Sequence, residues 1–339
     1  MVSDTRVPTG PPTTAEPRAA RSRRSGRVVG LLGCVVILAG MVGGLWLPQT
    51  PLNSYTISVA YSMAFFVAVA QSWNLMSGFT GYISFAHGAL VGIGSYAAIL
   101  AMNNGWGFAA TLVAGSAAAV VASMLIGLPS LRLRGIAFAF ATIFFQAIAL
   151  IVAEKAVSVT GGSQGLASAE IMSIDDLLMA MVVIAAAATL MVHLLRRSRL
   201  GLRLLAIRED ETAAQSIGIP TVRLKLGAFA LSAAFAGAAG GVHAFFLATL
   251  FPLSVFDIST SIEPLVLALL GGPASAFGPV VTGAIYALSQ ESLQQLGSSL
   301  QLSLLGALLV LVVLFARDGL AGLFSTVLDR LRSRRGKDD

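Results

Sequence analysis

The chain has 339 residues, of which 56% are hydrophobic and only 11% charged, with a mean hydropathy of +0.84. An ordinary soluble domain carries about 25% charged residues, so a water-solvated globule is excluded and lipid is the expected solvent. The net charge of +6 is confined to short stretches beside apolar runs, where membrane topology explains it without a nucleic-acid partner.

Residues 1–27, rich in Pro, Thr, Ala and Arg, lack apolar periodicity and are expected to form a disordered basic cytoplasmic tail. The first apolar run, Val28 to Leu47, holds 20 residues without a charge, enough for about 30 Å of helix and one bilayer crossing. Its length separates it from a cleaved signal, whose apolar region spans about 7–15 residues. The lone cysteine, Cys34, falls inside this run, so no internal disulfide can form. Further runs follow at 53–75, 82–102, 107–128, 136–153, 174–195, 226–248, 258–271, 278–293 and 299–316. The expected fold is therefore an all-α integral membrane protein, a polytopic helical bundle of about ten transmembrane segments over 28–316. A basic cytoplasmic tail, 317–339, follows.

Lys and Arg are retained on the cytoplasmic side during insertion. Four clusters, in 1–27, 129–135, 196–225 and from Arg317 onward, hold 21 of the 22 basic residues, and only Lys155 falls elsewhere. An even number of crossings with both termini cytoplasmic puts all four clusters on one face. No Lys or Arg is expected within the spans, which suits a pathway lined by small and apolar groups.

Two glycine-punctuated stretches interrupt the apolar runs. One contains Gly78, Gly81, Ser84, His87 and Gly88; the other contains Gly271, Gly272, Ser275 and Gly278, and Gly81/Ser84 and Gly272/Ser275 share a spacing. Interrupted or re-entrant backbone at membrane depth is tolerated only where protein or water satisfies it, so such stretches often border a translocation pathway. A tight interhelical turn is the alternative, especially for 271–279. His87 and His243 read either as protonatable groups near a pathway or as neutral imidazoles bonded to a neighbouring helix. Glu263, three residues after Thr260, can complete a capping box or present an acidic group at the outer mouth to a substrate ammonium.

The 196–225 segment carries the strongest functional signal. Acidic Glu209, Asp210 and Glu211 suit the positive end of a short helix, Ala213, Ala214 and Ile217 offer an apolar face, and Gly218 followed by Pro220 ends it. A helix this short is marginal alone, so its face is expected to dock against a partner. No G-x-x-x-x-G-K-[ST] phosphate loop occurs in the chain. Nucleotide energy, if used, comes from another protein, and no cofactor or metal cluster is indicated.

Glu211-x-Ala213-Ala214-x-x-x-Gly218 resembles the coupling loop of ATP-binding-cassette (ABC) importer permeases. Around it, Gly201-Leu-Arg203-x-x-Ala206-Ile207-Arg208-Glu209-Asp210-Glu211, Lys225-Leu-x-Ala-Phe229-x-Leu-Ser232-Ala and Ser261-Ile-Glu263…Leu270-Gly271-Gly272…Gly278-Pro279 resemble the branched-chain amino-acid permease family, particularly its LivM branch. Trp73-Asn74-Leu75…Gly78…Gly81-x-x-Ser84-x-x-His87-Gly88 and Leu131-Arg132-Leu133-Arg134-Gly135 extend the similarity over roughly 55–316. The chain departs from the family at Ile136, where an acid is common, and at Gln164, where Asp is commoner.

The resemblance implies a permease of a bacterial cytoplasmic membrane that lacks its own ATPase site and is not an enzyme. Its implied partners are two cytoplasmic ABC ATPase subunits, a second homologous permease subunit in a heterodimer, an extracytoplasmic solute-binding protein and membrane lipid. The implied solute is a branched-chain or other apolar amino acid, with urea or a short amide as the alternative. An ion-coupled secondary transporter is the reading from another class. It needs intramembrane acids, and Asp175, Asp176, Asp257, Glu263 and Glu291 all fall toward expected span ends.

Overall fold

The computed structural model describes residues 54–294, and the expected segments at 28–47 and 299–316 and both tails lie outside them. Each remaining apolar run is a helix. With two shorter helices in the 196–225 segment, the helices of six or more residues are, in chain order, α1 (Ser54–Trp73), α2 (His87–Asn103), α3 (Phe108–Ser130), α4 (Ile136–Lys155), α5 (Ile174–Arg197), α6 (Arg199–Glu209), α7 (Glu211–Ser216), α8 (Thr221–Leu247), α9 (Ser259–Gly271) and α10 (Gly278–Gln294). Six helical segments among the described residues are long and apolar enough to cross a membrane.

The segment ends gather in two places. At one, the 78–88 crossover, the end of α3, the α6–α7 segment, the start of α8 and the α9–α10 turn are joined by hydrogen bonds. This is the basic end, which carries Arg132, Arg134, Arg208 and Lys225. At the other, Asn103 donates to the Ala167 carbonyl at 3.1 Å, and β1 (Leu166–Ala167) pairs antiparallel with β2 (Thr249–Leu250). This pair is a small departure from an all-helical chain. It supplies partners for loop backbone that would otherwise lack them.

Helix α8 packs most extensively on α2 and α3. On α3 the buried positions Thr111, Gly115, Ala119, Ser123 and Gly127 recur every four residues, with Ser130 buried at the helix end, whereas Val113, Val121, Leu125 and Leu128 are exposed. Small residues on the packed stripe let backbones approach, and large apolar ones face outward, as expected when lipid is the solvent. At the centre, Gly94 of α2, Gly115 of α3 and Gly237 of α8 touch through backbone: a Cβ on Gly94 would lie 2.4 Å from the Gly237 oxygen.

Local signals set several helix starts. Ser173 caps α5 by accepting from Asp176 N at 3.1 Å, with Asp175 and Asp176 in its first turn and Arg196 and Arg197 in its last. Those charges oppose the helix dipole at both ends. Two expectations are corrected. Helix α8 begins at Thr221 rather than near 226, so Arg223 and Lys225 lie within the first turns of a span. Glu263 forms no capping box: the Thr260 hydroxyl donates to the Asp257 carbonyl at 2.6 Å, and the first amide of α9, Ser259 N, donates to Asp257 Oδ1 at 2.8 Å.

Candidate functional site

The first glycine stretch is a crossover between α1 and α2, non-helical over residues 81–86. Helix α1 continues through a widened π-type turn, Asn74–Gly78, and the chain resumes regular helix at His87. The expected span start near 82 is thus corrected by five residues. Gly81 has φ +75°, a left-handed conformation that costs residues with a Cβ roughly 1–2 kcal/mol. Backbone polar groups in the crossover find partners on other elements. Trp73 Nε1 donates to the Ser84 carbonyl at 2.9 Å, Phe85 N donates to Thr142 Oγ1 at 3.0 Å, and Arg208 Nη1 donates to the Gly78 carbonyl at 2.9 Å. Irregular backbone is stable inside a bundle when satisfied in this way.

The second glycine stretch is a tight turn between α9 and α10, and it is buried against α1. Asn74 accepts from Ala274 N at 2.7 Å and donates to the Ser275 carbonyl at 2.8 Å, while Gln71 donates to the Ala276 carbonyl at 2.6 Å. Gly271 and Gly278 meet so closely that a Cβ on Gly278 would lie 1.6 Å from the Gly271 oxygen. The spacing shared by the two stretches has a local meaning. Gly81 and Gly272 both have positive φ, and Ser84 and Ser275, three residues on, accept from Ala86 N and Gly278 N where a helix begins. The stretches also touch: a Cβ on Gly78 would lie 2.9 Å from Ala274 N.

The α6–α7 segment forms two helices rather than one, broken at Asp210. Glu209 ends α6, and Asp210 caps α7 by accepting from Thr212 N at 2.8 Å and Ala213 N at 3.0 Å. Gly218, at φ +82°, follows α7 in the left-handed conformation expected of a helix stop. The apolar face is divided. Ala214 is 2% exposed and packs with Leu204 and Ile207, whereas Ala213 faces outward and Ile217 is 76% exposed.

Glu211 is the anchor of this segment. Its Oε1 accepts from Lys225 Nζ at 2.7 Å, and its Oε2 accepts from the Tyr82 hydroxyl. Lys225 is 1% exposed, donates also to the Leu131 carbonyl at 3.2 Å, and stands 4.2 Å above the Tyr82 ring. Burial alone would raise the Glu211 carboxyl, but hydrogen bonds from Lys225 and Tyr82, with the ammonium charge, hold it below the usual carboxylate range. Burial, then the bond to Glu211, holds the Tyr82 phenol well above its usual range.

Deeper in the bundle, Ser232 donates its one proton to the Ser72 carbonyl at 2.7 Å, so His87 Nε2, 2.7 Å away, is the donor to Ser232. His243 Nδ1 lies 3.3 Å from the Tyr61 hydroxyl on α1. Both imidazoles therefore contact a neighbouring helix. Gly88 N donates to Ser261 Oγ at 2.8 Å, and Ser261 donates to Gln146 Oε1 at 3.0 Å, linking α2, α4 and α9. Glu263 joins neither cluster; it accepts from the Tyr286 hydroxyl of α10 at 3.0 Å.

The structure thus unites Arg208, Glu211, Gly78 and Gly81 at the basic end, beside Gly271, Gly272 and Gly278. It keeps Ser84, His87 and Gly88 above them, and it leaves Glu209 and Ala213 exposed. Tyr82, Lys225, Asn74 and Gln71 carry the junction although sequence reasoning assigned them no role. An amide inside an apolar run was the available signal, because a buried amide requires partners on another element.

A family model described as a branched-chain amino acid transport system / permease component matches residues 55–313. Over 298 residues the chain is 28% identical to the LivM permease protein of the high-affinity branched-chain amino acid transport system of Escherichia coli K12, covering 78% of this chain and 69% of that protein. The LivM protein of Salmonella typhimurium is 27% identical over 84% of this chain and 74% of its own. The LivH permease protein of the E. coli K12 system is 27% identical over 82% of this chain and 96% of its own. No solved structure matches. With three quarters of its length inside that family model and its motifs assembled on one helical scaffold, the chain belongs to the family of branched-chain amino acid transport permease components.

Proposed function

We propose that this chain is a membrane-spanning permease subunit of an ABC importer, carrying branched-chain or other apolar amino acids across the bacterial cytoplasmic membrane. Separate ATPase subunits energise it, an extracytoplasmic binding protein supplies the solute, and a second homologous permease completes the conduit. The basic end is the cytoplasmic end, and both termini lie on that side. The carrying observation is the contact of α6–α7 with the crossover: Arg208 holds the Gly78 carbonyl and Glu211 holds Tyr82. A short helix with Ile217 exposed offers a docking surface, and its inner side is fastened to backbone that borders the bundle interior. Motion of a docked ATPase then biases a two-state rearrangement of the membrane helices.

The test is reconstitution with the candidate ATPases and binding protein in vesicles. Leucine uptake that requires ATP, with ATPase subunits co-purifying, is expected. Uptake driven by an ion gradient without ATP would replace this reading with the secondary-transporter one. ATP-driven uptake of urea or a short amide in place of leucine would keep the mechanism and change the solute.

A further inference from the structure

We infer that Tyr82 and Lys225 are positioning residues for energy coupling, forming with Glu211 an internal latch that transmits displacement of α7 to the 78–88 crossover. This rests on the ATPase docking proposed above.

A single carboxylate joins three separate elements. Glu211 opens α7, Lys225 lies in α8, and Tyr82 lies in the crossover between α1 and α2. Each carboxylate oxygen has its own donor, and the Lys225 ammonium divides its protons between Glu211 and the Leu131 carbonyl at the end of α3. The carboxylate is therefore bound within its own chain, and its side chain is only 12% exposed. A docking protein would instead meet Thr212, Ala213, Ser216 and Ile217, all exposed. Glu211 thus works on the inner side of the helix that docks.

The latch resists partial loosening. Lys225 is buried, so separating it from Glu211 leaves a cation without its counter-charge in a poorly solvated place. The Tyr82 ring lies under the same ammonium, which adds a cation–π contact that moves with the pair. Arg208 fastens the crossover one turn earlier through Gly78. With both fastenings intact, α6–α7 moves together with residues 78–82 and with the start of α8 that carries Lys225.

The experiment uses the full permease assembled with its ATPase and binding-protein partners, and it reads ATPase recovery and solute imported per ATP hydrolysed. Tyr82→Phe keeps the ring and removes one hydrogen bond, and Lys225→Gln removes the charge. Expected is normal ATPase recovery with import per ATP lowered at least about fivefold, the lower end of measured site-to-site coupling. Tyr82→Phe decides the matter if Lys225→Gln does not accumulate. Wild-type import per ATP in Tyr82→Phe overturns the latch and leaves the ABC reading intact. Loss of ATPase recovery in parallel with import also overturns it, because the residues would then only shape the docking surface. If the wild-type permease recovers no ATPase and imports without ATP, the ABC reading itself fails and the latch falls with it.

Discussion

Arg208 and Gly78, 130 residues apart in sequence, are joined by a 2.9 Å hydrogen bond from the guanidinium Nη1 to the backbone carbonyl. The same side chain covers Gly81, where a Cβ would lie 2.9 Å from Arg208 Cγ. The exposed α6–α7 segment and the crossover between α1 and α2 are therefore one structural unit.

Gly88 tolerates no side chain. A Cβ there would lie 2.2 Å from Thr260 Oγ1 and 2.7 Å from both Gln146 Nε2 and Ser261 Oγ. Gly88→Ala is expected to destabilise the protein by about 1–3 kcal/mol, the usual cost of overpacking, and Gly88→Val by more. At Gly81 the obstacle is the positive φ and a flexible arginine, so Gly81→Ala should be milder than Gly88→Ala. Thermal midpoints in detergent check the order, and an inverted order would discredit the packing of α2 on α9.

Asn74 satisfies both an N–H and a C=O of the α9–α10 turn. Asn74→Leu fills similar volume yet orphans both groups, at about 1–3 kcal/mol for a buried group left unsatisfied. A lowered midpoint together with easier proteolysis around 271–278 is expected. An unchanged midpoint would mean that the turn is held by other means.

Gly218 has positive φ but open space around it. Gly218→Ala should therefore add only the left-handed strain, about 1 kcal/mol, and Gly218→Asn less, since Asn tolerates that region. Both variants should insert normally, with ATP-driven uptake falling in the order Gly, Asn, Ala. Equal uptake in all three would count against any need for a defined end to α7.

Topology is open to labelling. In a Cys34→Ala background, a cysteine at Ser163 should react with an impermeant reagent from outside, and one at Ala213 only from inside. Ser163 lies on the stretch between α4 and α5, and Ala213 faces outward on α7. Outside labelling of Ala213 would reverse the orientation of the basic end.

The Tyr82–Glu211 bond has a definite pH window. The carboxyl is depressed below 4.5, so its contribution is present above that value and is lost as pH falls through the lower folded value. The phenol is raised above 10.0, so its contribution is present below that value and is lost only at higher pH. The difference in midpoint between wild type and Tyr82→Phe should stay flat from about pH 5.5 to 9. A step inside that range would assign the bond to other partners.

Hydropathy located α1, α3, α4 and α5 because length and composition alone mark a helix able to cross a bilayer. It misplaced the starts of α2 and α8 for different reasons. Residues 82–86 are apolar enough to read as span, yet cross-element bonds to Ser84 and Phe85 hold them as non-helical backbone. Lys225 reads as loop on any hydropathy scale, and only its pairing with Glu211 and Leu131 lets it enter a helix. The short helix before Gly218 was legible from spacing; the contacts of Arg208 with Gly78 and of Glu211 with Tyr82, 130 and 129 residues away, were not.

The backbone contact of Gly94, Gly115 and Gly237 has a mechanical consequence. Where two helices touch without intervening side chains, a slide of one residue, about 1.5 Å, puts a Cβ into space already filled by a carbonyl. Close-packed interfaces of this kind switch between discrete fits or stay put. We therefore expect α2, α3 and α8 to act as the stator of the machine at the level of the Gly94, Gly115 and Gly237 contact, with transport strokes confined to parts fastened by side chains, the crossover, α6–α7 and the first turns of α8 that carry Lys225 among them. Spin-label distances between α2, α3 and α8 should hold constant between nucleotide-free and ATP-bound assemblies, while distances from α7 to this frame change; drift within the trio would refute the assignment.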